Sequence, residues 1–195
     1  MKRVLIVFAK APRMGSVKTR LASGIGDAAA LAFYRRSLAR TVAQAREFPN
    51  VETVIWTAPD SAARGRYFPP SLCVLRQGIG DIGVRMARAL DHHGDADRLL
   101  IGGDIPGVTP GTLSGAFEQL RTHDAVFGPA EDGGFWLVGL KRGYRPRRFF
   151  AGVTWSAPTT LDESVATLPS HARVAFAPTL NDIDDLEDYR RLKSL

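Results

Sequence analysis

Short apolar runs alternate with amphipathic stretches along the chain, and this alternation limits the fold more than any single residue does. It is the pattern of repeated strand–helix units, and so of an α/β protein with a mostly parallel sheet. The first strand is read at Arg3–Phe8. Asp27–Phe48 carries Leu31, Tyr34, Leu38, Val42 and Ala45 at helical spacing, with Asp27 placed to cap it. Strands follow at Val51–Thr57 and Leu72–Leu75, separated by a short helical piece that ends at Pro69-Pro70. A helix over Ile82–His92 leads into a strand over Arg98–Ile101, and Thr109 before Pro110 reads as the cap of the next helix. Asp124–Phe127 and Phe135–Leu140 are further strands; Pro158–Leu168, Arg173–Phe176 and Asp185–Leu192 close the pattern as helix, strand and helix. No repeat, low-complexity tract or linker interrupts it, so one domain over residues 1–195 is expected.

Composition removes several classes of function. No apolar run approaches the roughly 18 residues of a membrane span, and Met1-Lys2-Arg3 leads straight into a strand, so a soluble, cytoplasmic protein is expected. The single cysteine, Cys73, can form no internal disulfide or multi-thiol zinc site, and its apolar neighbours suggest a small buried hydrophobe. The formal charge of +6 raises the question of nucleic acid. Its cations gather at Lys10, Arg13, Lys18 and Arg20, and again between Lys141 and Arg148, without the interleaved aromatics of a base-stacking platform. Nucleic acid is therefore not an expected partner, and the second cluster reads as a solvated face. His92, His93, His123 and His171 form no constellation and are expected at the surface, and no GxSxG elbow surrounds Ser156.

Four segments carry the chemistry. Lys10 to Leu21, after the first strand, combines four cations with Gly15, which suits a loop that wraps polyphosphate; it lacks the spacing of a Walker A motif. Lys10, Gly15, Lys18 and Arg20 are its candidate ligands, with Lys18 also placed to stabilise charge that develops in the reaction. Leu100-Ile101-Gly102-Gly103-Asp104 is a strand that ends on a carboxylate, a way to present a hard oxygen ligand to Mg²⁺ or Mn²⁺. Gly128-Pro129-Ala130-Glu131-Asp132-Gly133-Gly134 offers Glu131 and Asp132 as acceptor-positioning groups or bases, although a plain Asp-Gly hairpin explains the same residues. Asp182 and Asp184 are alternate residues of an extended segment and so face the same way, where either or both can join Asp104 around a cation; helix capping is the competing use. Gly78-Ile79-Gly80-Asp81-Ile82-Gly83 matches GxGxxG but follows the wrong strand for a dinucleotide fingerprint. Gln77, Gly80 and Asp81 remain candidates for contact with a nucleotide.

Taken in order, Phe8 to Pro12, Lys18 to Leu21, Gln77 to Met86, Gly103 to Gly107, Gly128 to Gly134, Val153 to Ser156 and Asp182 to Asp184 resemble the DUF2064 family of GT-A type proteins. That family is also called radical-SAM/selenodomain-associated transferase 1. More distantly the chain is similar to nucleotidyltransferases that make molybdopterin dinucleotides and phospholactate–guanosine adducts. The resemblance implies a Rossmann-like sheet of the nucleotide-diphospho-sugar transferase (GT-A) fold. It also implies phosphates on the Lys10–Arg20 loop, metal at Asp104 and Asp184, and Gln77 against the base. Two positions depart from the family pattern: the tail lacks its proline, and Gly103 stands where serine is common. The expected reaction is metal-dependent glycosyl transfer from a nucleotide-sugar to an acceptor that the sequence does not identify. Nucleotidyl transfer with release of pyrophosphate is one alternative, and non-catalytic nucleotide binding is another. Homodimerisation is left open.

Overall fold

The computed structural model describes residues 2–46, 48 and 50–193. Among these, seven strands form one sheet: β1 (Arg3–Lys10), β2 (Val51–Ala58), β3 (Cys73–Arg76), β4 (Asp97–Gly102), β5 (Ala125–Pro129), β6 (Phe135–Leu140) and β7 (Val174–Phe176). Their spatial order is β3-β2-β1-β4-β6-β5-β7. β1 pairs in parallel with both β2 and β4, β2 with β3, and β5 with β7, whereas β6 runs antiparallel to β4 and β5. The reversal at β6 follows from the short turn after β5, since a few residues can join antiparallel neighbours but cannot make a parallel crossover.

Helices cover both faces. α1 spans Thr19–Ile25, α2 Asp27–Arg46, α3 Ile82–His92, α4 Pro110–Gln119, α5 Thr160–Ala166 and α6 Leu186–Lys193. On one face Leu5, Val7, Ile55, Leu99 and Ile101 meet Leu31, Tyr34, Leu38 and Val42 of α2 and Leu113 and Phe117 of α4. On the other, Val4, Ile6, Val54, Trp56 and Leu100 pack on Met86, Ala89 and Leu90 of α3. The central strand is thus buried on both sides, and each fully buried Leu, Ile or Val contributes roughly 1.5–3 kcal/mol relative to exposure. Thr109 caps α4 in a reciprocal pair with Thr112, as the Thr-Pro signal predicts.

The boundaries expected from sequence shift in ways that have local causes. α1 lies inside a stretch read as loop; it is short and buries only Leu21, too little periodicity to register. The helical piece between β2 and β3 is a 3-10 turn at Asp60–Arg64, earlier than the prolines. The expected helix end at Phe48 crosses residue 47, which lies outside the described residues. Cys73 is exposed rather than buried, because β3 is a four-residue strand at the edge of the sheet formed by the described residues. His93 is buried rather than at the surface, its Nε2 accepting a hydrogen bond from the Trp56 indole at 3.3 Å. Arg98 is fully buried, and its guanidinium donates to the carbonyls of Leu90, Lys141 and Tyr144 at 2.6–2.9 Å. It ties the end of α3 to the segment after β6, and burial lowers its pKa to about 10. No described helix is long and apolar enough to cross a membrane.

The strand order places the site. The chain runs from β1 outward to β2 and β3 and then returns to the other side of β1 with β4. The loops after β1 and β4 therefore diverge and leave a crevice at the carboxyl ends of these strands, the usual ligand position in an open α/β sheet.

Candidate functional site

The loop after β1 carries Lys18 into this crevice. Lys18 has a left-handed backbone (φ 47°, ψ 45°) at the start of α1, a conformation that costs a non-glycine residue roughly 1–2 kcal/mol. Its ammonium lies 2.7 Å from Asp104 Oδ2, 2.8 Å from Asp184 Oδ1 and 3.3 Å from Asp182 Oδ2. Three stretches of chain, one early, one central and one terminal, thus meet at a single nitrogen. Asp104 arrives from β4 through Gly103, where a Cβ would sit 3.0 Å from both Ala9 and Leu38; a bare backbone lets the strand end pack that closely. Asp182 and Asp184 straddle Ile183, which is buried against Leu21, Ala30 and Phe33. Burying the residue between them turns both acids toward the cleft, as the alternation in sequence predicts.

Charge and burial are balanced against each other here. The Lys18 side chain is only 6% exposed. Burial works against its charge, but Asp104, Asp182 and Asp184 together outweigh that penalty and raise its pKa. Burial pushes the Asp182 carboxyl up to about 6, against the pull of Lys18, while Lys18 holds Asp184 below the ordinary carboxylate range despite its own burial. Tyr34, read from sequence as a core residue of α2, is buried, yet its hydroxyl accepts from the Lys10 amide at 3.0 Å and donates to the Lys10 carbonyl at 2.9 Å. This fixes the end of β1 at the rim. Burial, with the nearby Asp104 charge, raises the tyrosine pKa.

Two cavities meet at the carboxylates. The larger, about 490 Å³, is lined by Lys10, Lys18, Arg20, Tyr34, Gln77 and Arg85 among others. The smaller, about 270 Å³, has an apolar wall of Met86, Phe135, Trp136 and Trp155 with Asp132 and Thr160 beside it. Ile82, Asp104, Ser156, Asp182 and Asp184 border both.

The structure sorts the other residues singled out from sequence. Lys10 and Arg20 line the larger cavity, and Arg20 reaches Asp185 at 3.5 Å. Gly15 (φ 71°) is at the exposed turn of the loop, and Arg13 turns aside to donate to the Tyr67 hydroxyl at 2.9 Å. Gln77 is buried with its amide committed: Nε2 donates to the Trp56 carbonyl at 3.0 Å, and Oε1 accepts from Arg85 Nη1 at 2.9 Å. The arginine it holds lines the same cavity. Gly80 and Asp81 belong to the cap of α3, where the Asp81 carboxylate accepts from the Val84 amide at 2.8 Å and lines a different cavity with Arg88 and Arg148. Glu131 and Asp132 sit in the β5–β6 hairpin turn, closed by Ala130 and Gly134. Asp132 faces the smaller cavity, with Oδ1 accepting from the Gly134 amide at 2.9 Å, whereas Glu131 is exposed and lines neither cavity.

Hard carboxylate oxygens around one point are the donor set a divalent ion prefers, and the ammonium already marks that point with a cation. Among the described residues no three carboxylate, imidazole or thiol groups are arranged to hold a metal as they stand; where three carboxylates converge, the lysine nitrogen sits between them.

Residues 41–157 match the family described as "Uncharacterized protein conserved in bacteria (DUF2064)". The chain belongs to DUF2064. The matched span contains Gln77, Arg85, Asp104, Asp132 and Ser156; Lys18 and the two terminal aspartates join the site of this DUF2064 protein through the fold. No curated protein matches the chain. Among solved structures it is similar to a candidate nucleotide-diphospho-sugar transferase from Desulfovibrio desulfuricans G20, with 26% identity and a TM-score of 0.84 over 98% of this chain and 86% of that one. It is also similar in fold to a manganese complex of Rv0371c from Mycobacterium tuberculosis H37Rv, with 18% identity and a TM-score of 0.60 over the full length of both chains. A third similar fold is the 4-diphosphocytidyl-2C-methyl-D-erythritol synthase of Anaerococcus prevotii DSM 20548, with 12% identity and a TM-score of 0.58 over 100% of this chain and 98% of that one. The fold is that of the nucleotide-diphospho-sugar transferases, as the sequence resemblance implies.

Sequence reasoning missed Arg85 and the hydroxyl of Tyr34 in this DUF2064 chain. Arg85 follows the capping Asp81 by one helical turn, a spacing that could have placed it on the cleft side. Nothing in the periodicity distinguishes a core tyrosine from one whose hydroxyl reaches a strand end. Ser156, with φ 58°, sits on the border between the two cavities.

Proposed function

We propose that the chain is a metal-assisted transferase that acts at the diphosphate of a nucleotide-sugar, passing the sugar to an acceptor hydroxyl. The observation that carries this is the convergence of Asp104, Asp182 and Asp184 where a cation-rimmed cavity meets a more apolar one. The similarity to the D. desulfuricans protein, named for nucleotide-diphospho-sugar transfer, supports the same reading. Residues 1–195 would act as one catalytic domain.

In this reading the larger cavity takes the nucleotide diphosphate. Lys10 and Arg20 lie at its rim, and Arg85, held through Nε by the Asp81 carbonyl and through Nη1 by Gln77, would turn Nη2 to phosphate oxygens. The smaller cavity takes the acceptor, whose apolar part rests on Trp155 and Phe135. Asp132 has one oxygen engaged by its own turn, which leaves the other to accept the acceptor's proton. Mg²⁺ or Mn²⁺ held by Asp104 and Asp184, with Asp182 beside them, would neutralise the diphosphate as it leaves. Lys10, Arg20 and Arg85 would supply the rest of that neutralisation, Arg85 from a position that Gln77 fixes before the ligand arrives.

The test is product analysis with Mn²⁺ or Mg²⁺ present. Release of a nucleoside diphosphate from a sugar nucleotide, lowered about a hundredfold or more in Asp104→Asn, is the expected result. Pyrophosphate from a nucleoside triphosphate would transfer the reading to nucleotidyl transfer at the same site. Wild-type turnover by Asp104→Asn would end it.

A further inference from the structure

We infer that Lys18 is a built-in countercation that a divalent ion has to displace before it can use Asp104 and Asp184. The inference rests on the proposed metal-assisted reading and concerns how that site is held when no metal is bound to it. The ammonium is closer than 3 Å to one oxygen of each of these carboxylates and 3.3 Å from Asp182. Mg²⁺ at the same point would bind those oxygens at roughly 2.0–2.1 Å. Two cations cannot share them: a divalent ion among these oxygens would be in contact with a charged nitrogen, and the near-complete burial of the Lys18 side chain limits how far water can screen the repulsion.

The lysine is held rather than resting there by chance. Its stem is nearly inaccessible, its neighbour Val17 is buried, and its left-handed backbone directs the side chain inward. Without it, three carboxylates would face one another across a half-buried space, so the lysine offsets part of their charge when no metal is bound. It also has somewhere to go. Lys18 lines the same cavity as Lys10, Arg20 and Arg85, and rotation of its four-carbon stem carries the ammonium from the carboxylates toward that cationic side. A polyphosphate there would give the released ammonium a new anionic partner. Metal and nucleotide are thereby coupled: each becomes easier to bind once the other is present, because one lysine cannot satisfy both of its positions at once.

The experiment measures Mn²⁺ binding without nucleotide, from the free-Mn²⁺ signal in electron paramagnetic resonance, for wild type, Lys18→Met and Asp104→Asn. Lys18→Met should bind Mn²⁺ more tightly than wild type, within the roughly 5- to 150-fold range of ordinary coupling, and Asp104→Asn should lose the site. Should Lys18→Met fail to fold, acylation of Lys18 in the wild-type protein, followed by mass spectrometry, gives the same answer. Lys18 should be protected without metal and should become reactive as Mn²⁺ saturates, while exposed Lys2 stays unchanged. Equal or weaker Mn²⁺ binding by a folded Lys18→Met, or a Lys18 still protected with Mn²⁺ bound, overturns the inference and leaves the transferase reading standing. Absence of Mn²⁺ binding in all three proteins overturns both.

Discussion

Gly15 and Gly133 have nearly the same backbone, φ 71° and φ 83°, but very different surroundings. A Cβ on Gly15 meets nothing within 4 Å, whereas one on Gly133 would overlap the Pro158 carbonyl and lie 2.5 Å from Pro158 Cα. The neighbour at Gly133 is backbone, so it cannot rotate away, and the Gly133 carbonyl accepts from the Leu161 amide at 2.9 Å. This contact joins the β5–β6 turn to the start of α5, and both pieces line the smaller cavity. Gly15→Ala should cost only the left-handed conformation, about 1–2 kcal/mol. Gly133→Ala should add an overpacking cost of about 1–3 kcal/mol. For a chain of this size a kilocalorie moves Tm by about 2–4 °C, so the two variants should differ by about 4–8 °C at the middle of that range. Urea and thermal denaturation followed by circular dichroism would measure it. Equal losses in the two variants would show that the hairpin does not bear on Pro158 as described, and the shape of the acceptor side would have to be reconsidered.

Further outcomes concern the nucleotide side and the core. Arg85→Ala should weaken nucleotide binding about 10- to 100-fold, the cost of a charged hydrogen bond to phosphate, and Gln77→Ala should weaken it less because only the orientation of Arg85 is lost; calorimetric titration decides, and unchanged affinity in Arg85→Ala would remove that residue from the site. Arg98→Met should destabilise the protein by about 3–5 kcal/mol, since it deletes charged hydrogen bonds and leaves buried carbonyls unpaired, and chemical denaturation would register it. His93 is held neutral by burial and, to a smaller extent, by adjacent His92, both of which lower its pKa, and it accepts from Trp56 through Nε2. The unfolded chain therefore takes up this proton first, so stability should fall as pH drops below about 6.5. His93→Gln should flatten that part of the pH profile, and a profile unchanged by the substitution would contradict the assignment.

Periodicity in the sequence determined the layered α/β order, because strands and helices that cover each other must carry their apolar residues at matching intervals. β1, α2, α3 and the Thr109 cap of α4 were legible for that reason, and so were the carboxylates that follow β4 and precede α6. The meeting of Asp104 with Asp182 and Asp184 was readable as a possibility, since the acids alternate about a single apolar residue. Only tertiary structure decided that Lys18 would stand between them, that Gln77 would spend its amide on Arg85 and the backbone, and that Glu131 would face away while Asp132 turned to the cleft. The physical reason is range. Hydrophobic spacing is a local property and is written along the chain, whereas the charge balance at the site sums contributions from residues more than 160 positions apart, and only the folded sheet fixes their distances.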